Sequence, residues 1–243
     1  MGLLSYGKRI VKNISRLGKR MYSNAQGLGR KVARSVSNLI PEPSHDAFNL
    51  DDETKFYAKI AEQSYKEPDM RVSVDGYELD EELSDLRTAV YHNPNKKDTV
   101  IGYRGTVIGD ADDFLTDAEI YKGTHRNTSQ FINAENSFEK AKEKYGTVNA
   151  VAGHSLGGTK SKHISKKYNV KAHAFNTGVG KDETYVRDTL NCMLPNPPVW
   201  CDKLTTHKVI GDPISFFSGG YGNTRTYRTK KRYNNHSLSN FLE

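Results

Sequence analysis

Asn149 to Lys160, NAVAGHSLGGTK, constrains this chain more than any other stretch. Val148, Ala150, Val151 and Ala152 read as a buried strand that runs straight into Gly153, and helical patterning begins after Ser155. Gly153-His154-Ser155-Leu156-Gly157 fits the G-x-S-x-G pattern, in which a strained strand-to-helix turn lifts a serine hydroxyl off the edge of a sheet. Small residues on each side let the two backbones pass closely. A plain glycine bend could carry the same five letters, so the surrounding chain has to decide.

The surroundings alternate short apolar runs with helical patterns. Asp51 or Asp52 caps a helix through ETKFYAKIAEQSYK. RTAVYH and TVIGYRG read as two strands joined by the turn NPNKKD. A helix follows over about 127–145, with Phe131, Ile132, Phe138 and Ala141 expected on its inner face. Then come strand TVNAVAG, a helix from Leu156 to about Tyr168, strand VKAHAFN, a loop-rich stretch and strand THKVIG. This order predicts an α/β fold with a central, mostly parallel sheet flanked by helices.

A serine hydroxyl is a poor nucleophile near neutral pH, so a histidine must take its proton and an acid must orient that histidine. With the order serine, acid, histidine, the candidate acids after Ser155 are Asp182, Glu183, Asp188, Asp202 and Asp212. Asp212 alone stands just past a convincing strand, in HKVIGDP, where the C-terminal edge of a parallel sheet places functional loops. His236 is the one histidine after it. The Leu156 N–H at the start of the helix can face a developing oxyanion, and Thr106 in YRGT supplies a second donor.

YRGT, DDFLTDAE, GHSLGG, AFNTGVG, GDPISFF and a late NNH, in this order over about 54–240, resemble the class 3 (fungal-type) lipase family. The resemblance implies an α/β-hydrolase that cleaves carboxylic ester bonds of lipids without a cofactor or metal. It places Ser155, Asp212 and His236 in the triad, with Thr106 and Leu156 in the oxyanion hole. Two departures stand out. The helix after Ser155 carries Lys160 and Lys162 where the family has small apolar residues, and 107–113, at the family's lid position, is short and acidic.

The charge is unevenly placed. Residues 1–41 hold nine Lys and Arg and no Asp or Glu; against a whole-chain charge of +7, that leaves the rest at −2. Ile10, Ile14, Leu17 and Met21, then Leu28, Val32, Val36 and Leu39, repeat at helical spacing with cations between them. A basic amphipathic arm of this kind suits a membrane interface; a solvated tail, a nucleic-acid arm and a transit peptide are the other readings of the same residues. Membrane contact is the expectation because phosphate binding alone does not require regular apolar spacing. The expected organisation is arm 1–41, linker 42–52 and a hydrolase domain over 53–243.

Other assignments stay open at this stage. Cys192 and Cys201 are compatible with a closed surface loop or with two free thiols. The compartment is open among mitochondrial, secreted and virion contexts, as is the oligomeric state. No run reaches the length of a membrane-spanning helix. The expected function is a serine lipid esterase with a lipid ester substrate, brought to membranes by the arm. The alternatives are a membrane-disrupting protein with an incidental hydrolase fold and a soluble esterase with a targeting peptide.

Overall fold

A computed structural model describes residues 45–46, 49–107, 128–178, 190–212, 214–215, 218, 224–229 and 235–242. The arm 1–41 and residues 108–113 of the expected lid position lie outside the described residues. The strands are β1 (His45–Asp46), β2 (Glu78–Leu79), β3 (Thr88–Asn93), β4 (Asp98–Tyr103), β5 (Ala150–His154), β6 (Lys171–Phe175), β7 (Leu204–Val209) and β8 (Thr224–Arg228). The helices are α1 (Asp52–Gln63), α2 (Ser129–Tyr145) and α3 (Leu156–Tyr168), with short 3-10 turns such as Leu238–Phe241.

The strands form one sheet in the order β1-β8-β7-β6-β5-β4-β3-β2. β4 through β8 run parallel, and the β3–β4 hairpin and the β2–β3 pair are antiparallel. This is the expected α/β-hydrolase architecture, extended by β8 and by the short edge strands. The core also begins earlier than the sequence suggested. His45–Asp46 pairs in parallel with Tyr227–Arg228, and Leu50 is buried, so the stretch expected as a linker already contributes to the sheet. A two-residue edge pairing has no periodicity to read.

Alternation along the strands divides the core into two layers. Val100, Ala150, Ala152, Phe175 and Val209 face α1 and the Leu238–Phe241 turn. Ile101, Tyr103, Val151, Ala172, Ala174 and Leu204 face α2 and α3. The α1 start is set by Asp51, whose side chain accepts the Thr54 N–H at 2.7 Å, a cap that stabilises a helix by about 1 kcal/mol. On α2, Phe131, Phe138 and Ala141 are buried as expected, with Ala134 beside them. Ile132 is instead 46% exposed, because the buried stripe runs 131, 134, 138, 141 and leaves 132 on the outer face.

Lys160 and Lys162 do not hold α3 away from the core. They are 2% and 0% exposed, and the Lys160 ammonium donates to Gln130 Oε1 of α2 at 3.1 Å. Cys192 and Cys201 form a disulfide that closes the loop before β7.

The layer under α1 is rich in imidazole and aromatic rings. Tyr57 stacks on His173 at 4.0 Å between centroids, His173 Nδ1 lies 3.0 Å from His207 Nε2, and His207 Nδ1 lies 2.8 Å from the Tyr227 hydroxyl. Burial, then the neighbouring His207, hold the His173 pKa well below its ordinary value. The unfolded chain therefore takes up a proton at His173 below about pH 6.5 and the folded chain does not, so stability falls with falling pH. Between about pH 6 and pH 5, above the range of ordinary carboxylates, His173 contributes a slope of about 1 kcal/mol per pH unit. Urea unfolding at these two pH values is expected to show that loss, added to the one that the likewise depressed His154 contributes, and His173→Asn is expected to remove the His173 share of the slope. An unchanged slope would exclude His173 as its source.

Candidate active site

The candidate residues converge where the parallel strands end. Ser155 links β5 to α3 with φ 56° and ψ −122°, a left-handed conformation that costs a non-glycine residue about 1–3 kcal/mol. The glycines make this turn sterically possible. A Cβ on Gly153 would overlap the Gly157 carbonyl, and one on Gly157 would overlap the Tyr103 carbonyl at the end of β4. The Ser155 N–H donates to the Phe175 carbonyl at 3.0 Å, tying the turn to β6.

His236 Nε2 lies 2.8 Å from Ser155 Oγ, and His236 Nδ1 lies 3.0 and 3.1 Å from the two Asp212 oxygens. The Asp212 side chain is 0% exposed. Burial pushes its carboxyl pKa up, but the His236 hydrogen bond and charge, the Ser215 contact and the Ile214 N–H outweigh it and hold the pKa below the ordinary carboxylate value. An ionised Asp212 accepts from His236 Nδ1–H, which leaves the Nε2 lone pair facing the serine hydroxyl. Such an arrangement of serine, histidine and carboxylate can serve as nucleophile, proton acceptor and orienting acid. Leu156 is the first residue of α3, where helical N–H groups have no intrahelical partner. Thr106 follows directly on Arg104-Gly105 at the end of β4, and a Cβ on Gly105 would crowd the His154 carbonyl, so the two expected oxyanion donors flank the same turn.

Two asparagines set the loops, and neither was singled out from the sequence. Asn176, fully buried with φ 41°, donates from Nδ2 to the Asn235 carbonyl at 2.9 Å and accepts the Val209 N–H at Oδ1, also at 2.9 Å. Asn235 Nδ2 donates to the Ile210 carbonyl at 2.8 Å. Together they join the ends of β6 and β7 to the residue before His236. Their signal in the sequence is confined to the strings AFNTG and NNH, whose order and spacing do not disclose these hydrogen bonds.

On the α3 face, Lys208 of β7 has its pKa lowered to about 8, first by burial and then by the charge of Lys162, with Asp212 opposing. Among the described residues no group of His, Cys, Asp and Glu is arranged to hold a metal.

The sheet order, the strand-to-helix turn at Ser155 and the loops after β4, β6 and β7 define a lipase-like α/β-hydrolase. The family model described as Phospholipase-like, Tle-like phospholipase domain, matches residues 19–218, and the chain belongs to this family of carboxylic ester hydrolases. The match takes in Thr106, Ser155, Leu156 and Asp212, begins within the basic arm and stops short of His236. Among solved structures, the Lip2 lipase from Yarrowia lipolytica is 19% identical, covering 83% of this chain and 87% of its own, at a TM-score of 0.46. A mutant of MDLA from Penicillium cyclopium is 15% identical over 78% and 83%, also at 0.46. The Rhizomucor miehei lipase propeptide complex is 14% identical over 65% and 60%, at 0.37. A comparison with curated protein sequences finds no match.

Asn176→Ala removes one buried and one part-buried hydrogen bond and leaves the Val209 N–H and the Asn235 carbonyl without that partner. It is expected to lower unfolding free energy by about 2–3 kcal/mol in urea titrations and to slow ester hydrolysis. A loss under about 0.5 kcal/mol would mean the loops are held in some other way.

Proposed function

We propose that the protein hydrolyses phospholipid acyl esters by a Ser155-His236-Asp212 triad, at a membrane surface to which its basic arm brings it. The observation that carries this reading is the single line from Asp212 through His236 to Ser155 Oγ, with each contact at 2.8–3.1 Å. His236 takes the Ser155 proton as Oγ attacks the ester carbonyl. The tetrahedral oxyanion is held by the Leu156 and Thr106 N–H groups. His236 then gives its proton to the leaving alkoxide, and the ester bond breaks to leave an acyl-Ser155. Water, deprotonated by His236, releases the fatty acid and restores the serine.

Phospholipid is favoured over neutral oil by two observations, the family's phospholipase description and the arm charge of +9. Cations near an anionic bilayer each contribute about 1 kcal/mol at low salt, and the apolar stripe of the arm adds burial at the interface.

The test measures fatty acid release from anionic phospholipid vesicles, neutral phosphatidylcholine vesicles and triglyceride emulsion. Ser155→Ala is expected to reduce release by at least about 10³-fold on every substrate. Replacing the nine arm Lys and Arg by Gln is expected to cut turnover on anionic vesicles only, as raised salt would for the parent. Ser155-independent release would sink the triad, and equal turnover of vesicles and emulsion by parent and arm variant would sink the membrane role.

A further inference from the structure

His154, the variable residue of the G-x-S-x-G turn, is buried, and its ring bonds to the main chain of the histidine that meets the Ser155 hydroxyl. Its Nε2 lies 2.6 Å from the main-chain carbonyl oxygen of His236, while the two rings are tilted at 4.8 Å and not stacked. A carbonyl can only accept, so Nε2 carries the proton. Burial first, and then the nearby His236, hold the His154 pKa down at about 3, so the ring stays neutral and carries one proton only. Nδ1 is therefore an acceptor, and the Tyr65 hydroxyl lies 2.9 Å from it.

Tyr65 comes from just beyond the end of α1, on the opposite side of the turn. Its hydroxyl also lies 3.2 Å from the His154 carbonyl, and a Cβ on Gly105 would overlap it. The hydroxyl thus occupies the gap between the turn that bears Ser155 and the loop that bears Thr106. Gly105 is the residue that leaves this gap open.

We infer that Tyr65 and His154 are positioning residues for the triad base: the Tyr65 hydroxyl fixes the His154 tautomer whose Nε2–H holds the main chain of His236. The same hydroxyl rests against the Gly105 backbone, so the base and the oxyanion loop are set from one point. Asn176 already holds the carbonyl of Asn235, and the His154 bond holds the next carbonyl, leaving the His236 backbone pinned at two successive peptides. Imidazole displacement of about 1 Å is enough to cost on the order of 10²-fold in rate, which makes a main-chain tether consequential for chemistry and not only for stability.

This inference rests on the triad reading above, and the experiment separates the two. kcat and KM for the soluble ester p-nitrophenyl butyrate, together with Tm, are measured for the parent, Ser155→Ala, His154→Leu, His154→Gln and Tyr65→Phe. His154→Leu is expected to lose on the order of 10²-fold in kcat with KM within about threefold. His154→Gln, whose amide nitrogen can take the place of Nε2–H, is expected to recover to within about fivefold of the parent. Tyr65→Phe frees the tautomer and is expected to lose about fivefold in kcat. Parent-level kcat in His154→Leu, or a Gln variant as slow as the Leu variant with both melting like the parent, would overturn the inference. If His154→Leu does not fold, Tyr65→Phe decides it, and an unchanged kcat there is an overturning result. Ser155→Ala at the parent rate would contradict the triad itself, whereas an inactive Ser155→Ala beside fully active His154 variants would contradict the positioning role alone.

Discussion

Ser155 is held at φ 56° between a strand and a helix, and nearly everything else at the site follows from keeping it there. The strain is of order 1–3 kcal/mol and persists only because the surroundings over-determine the turn. Gly153 and Gly157 allow backbones to meet where a methyl group would not fit. The Ser155 N–H is bonded to β6, and α3 starts at the next residue. One strained residue therefore places the hydroxyl at the end of β5 with the first residue of α3 beside it.

Asp212 and His236 reach Ser155 by different means. Asp212 needs little beyond the end of β7, since its loop turns back so that the Ile214 and Ser215 N–H groups donate to the carboxylate. His236 lies late in the chain, and among the described residues the next regular element after it is the Leu238–Phe241 turn. Its placement depends on hydrogen bonds made by neighbours. Asn176 and Asn235 stitch the strand ends to the His236 loop, and His154 reaches the His236 carbonyl from the turn itself. His236 is thereby tied to the Ser155 turn through its main chain as well as through its ring.

Local rules made much of this legible. The strand before Gly153 and the helix after Ser155 follow from periodicity; the serine, acid, histidine order leaves five acids, of which Asp212 alone follows a strand, with His236 after it. Residues whose role depends on tertiary contact were not legible. Asn176 looks like any loop asparagine until Val209 and Asn235 are brought to it, and Tyr65 lies 89 positions from its partner His154. Ile132 passes for an inner-face residue by spacing alone, because a one-position error in helix phase moves it to solvent. Lys160 and Lys162 contradict burial by type, yet α3 buries both, with the Lys160 charge met by a glutamine on α2. His45–Asp46 joins the sheet through two residues, below what any pattern can register.

The most direct measurement of a working nucleophile at Ser155 is covalent trapping. The protein is incubated with an alkyl p-nitrophenyl phosphonate, followed by intact-mass and peptide mass spectrometry. Attack by Ser155 Oγ on phosphorus expels p-nitrophenolate and leaves a stable phosphonyl adduct. One adduct per chain is predicted, confined to the peptide containing Ser155 and absent in His236→Ala. Labelling at another residue, or an unlabelled parent protein that remains folded, would contradict the triad.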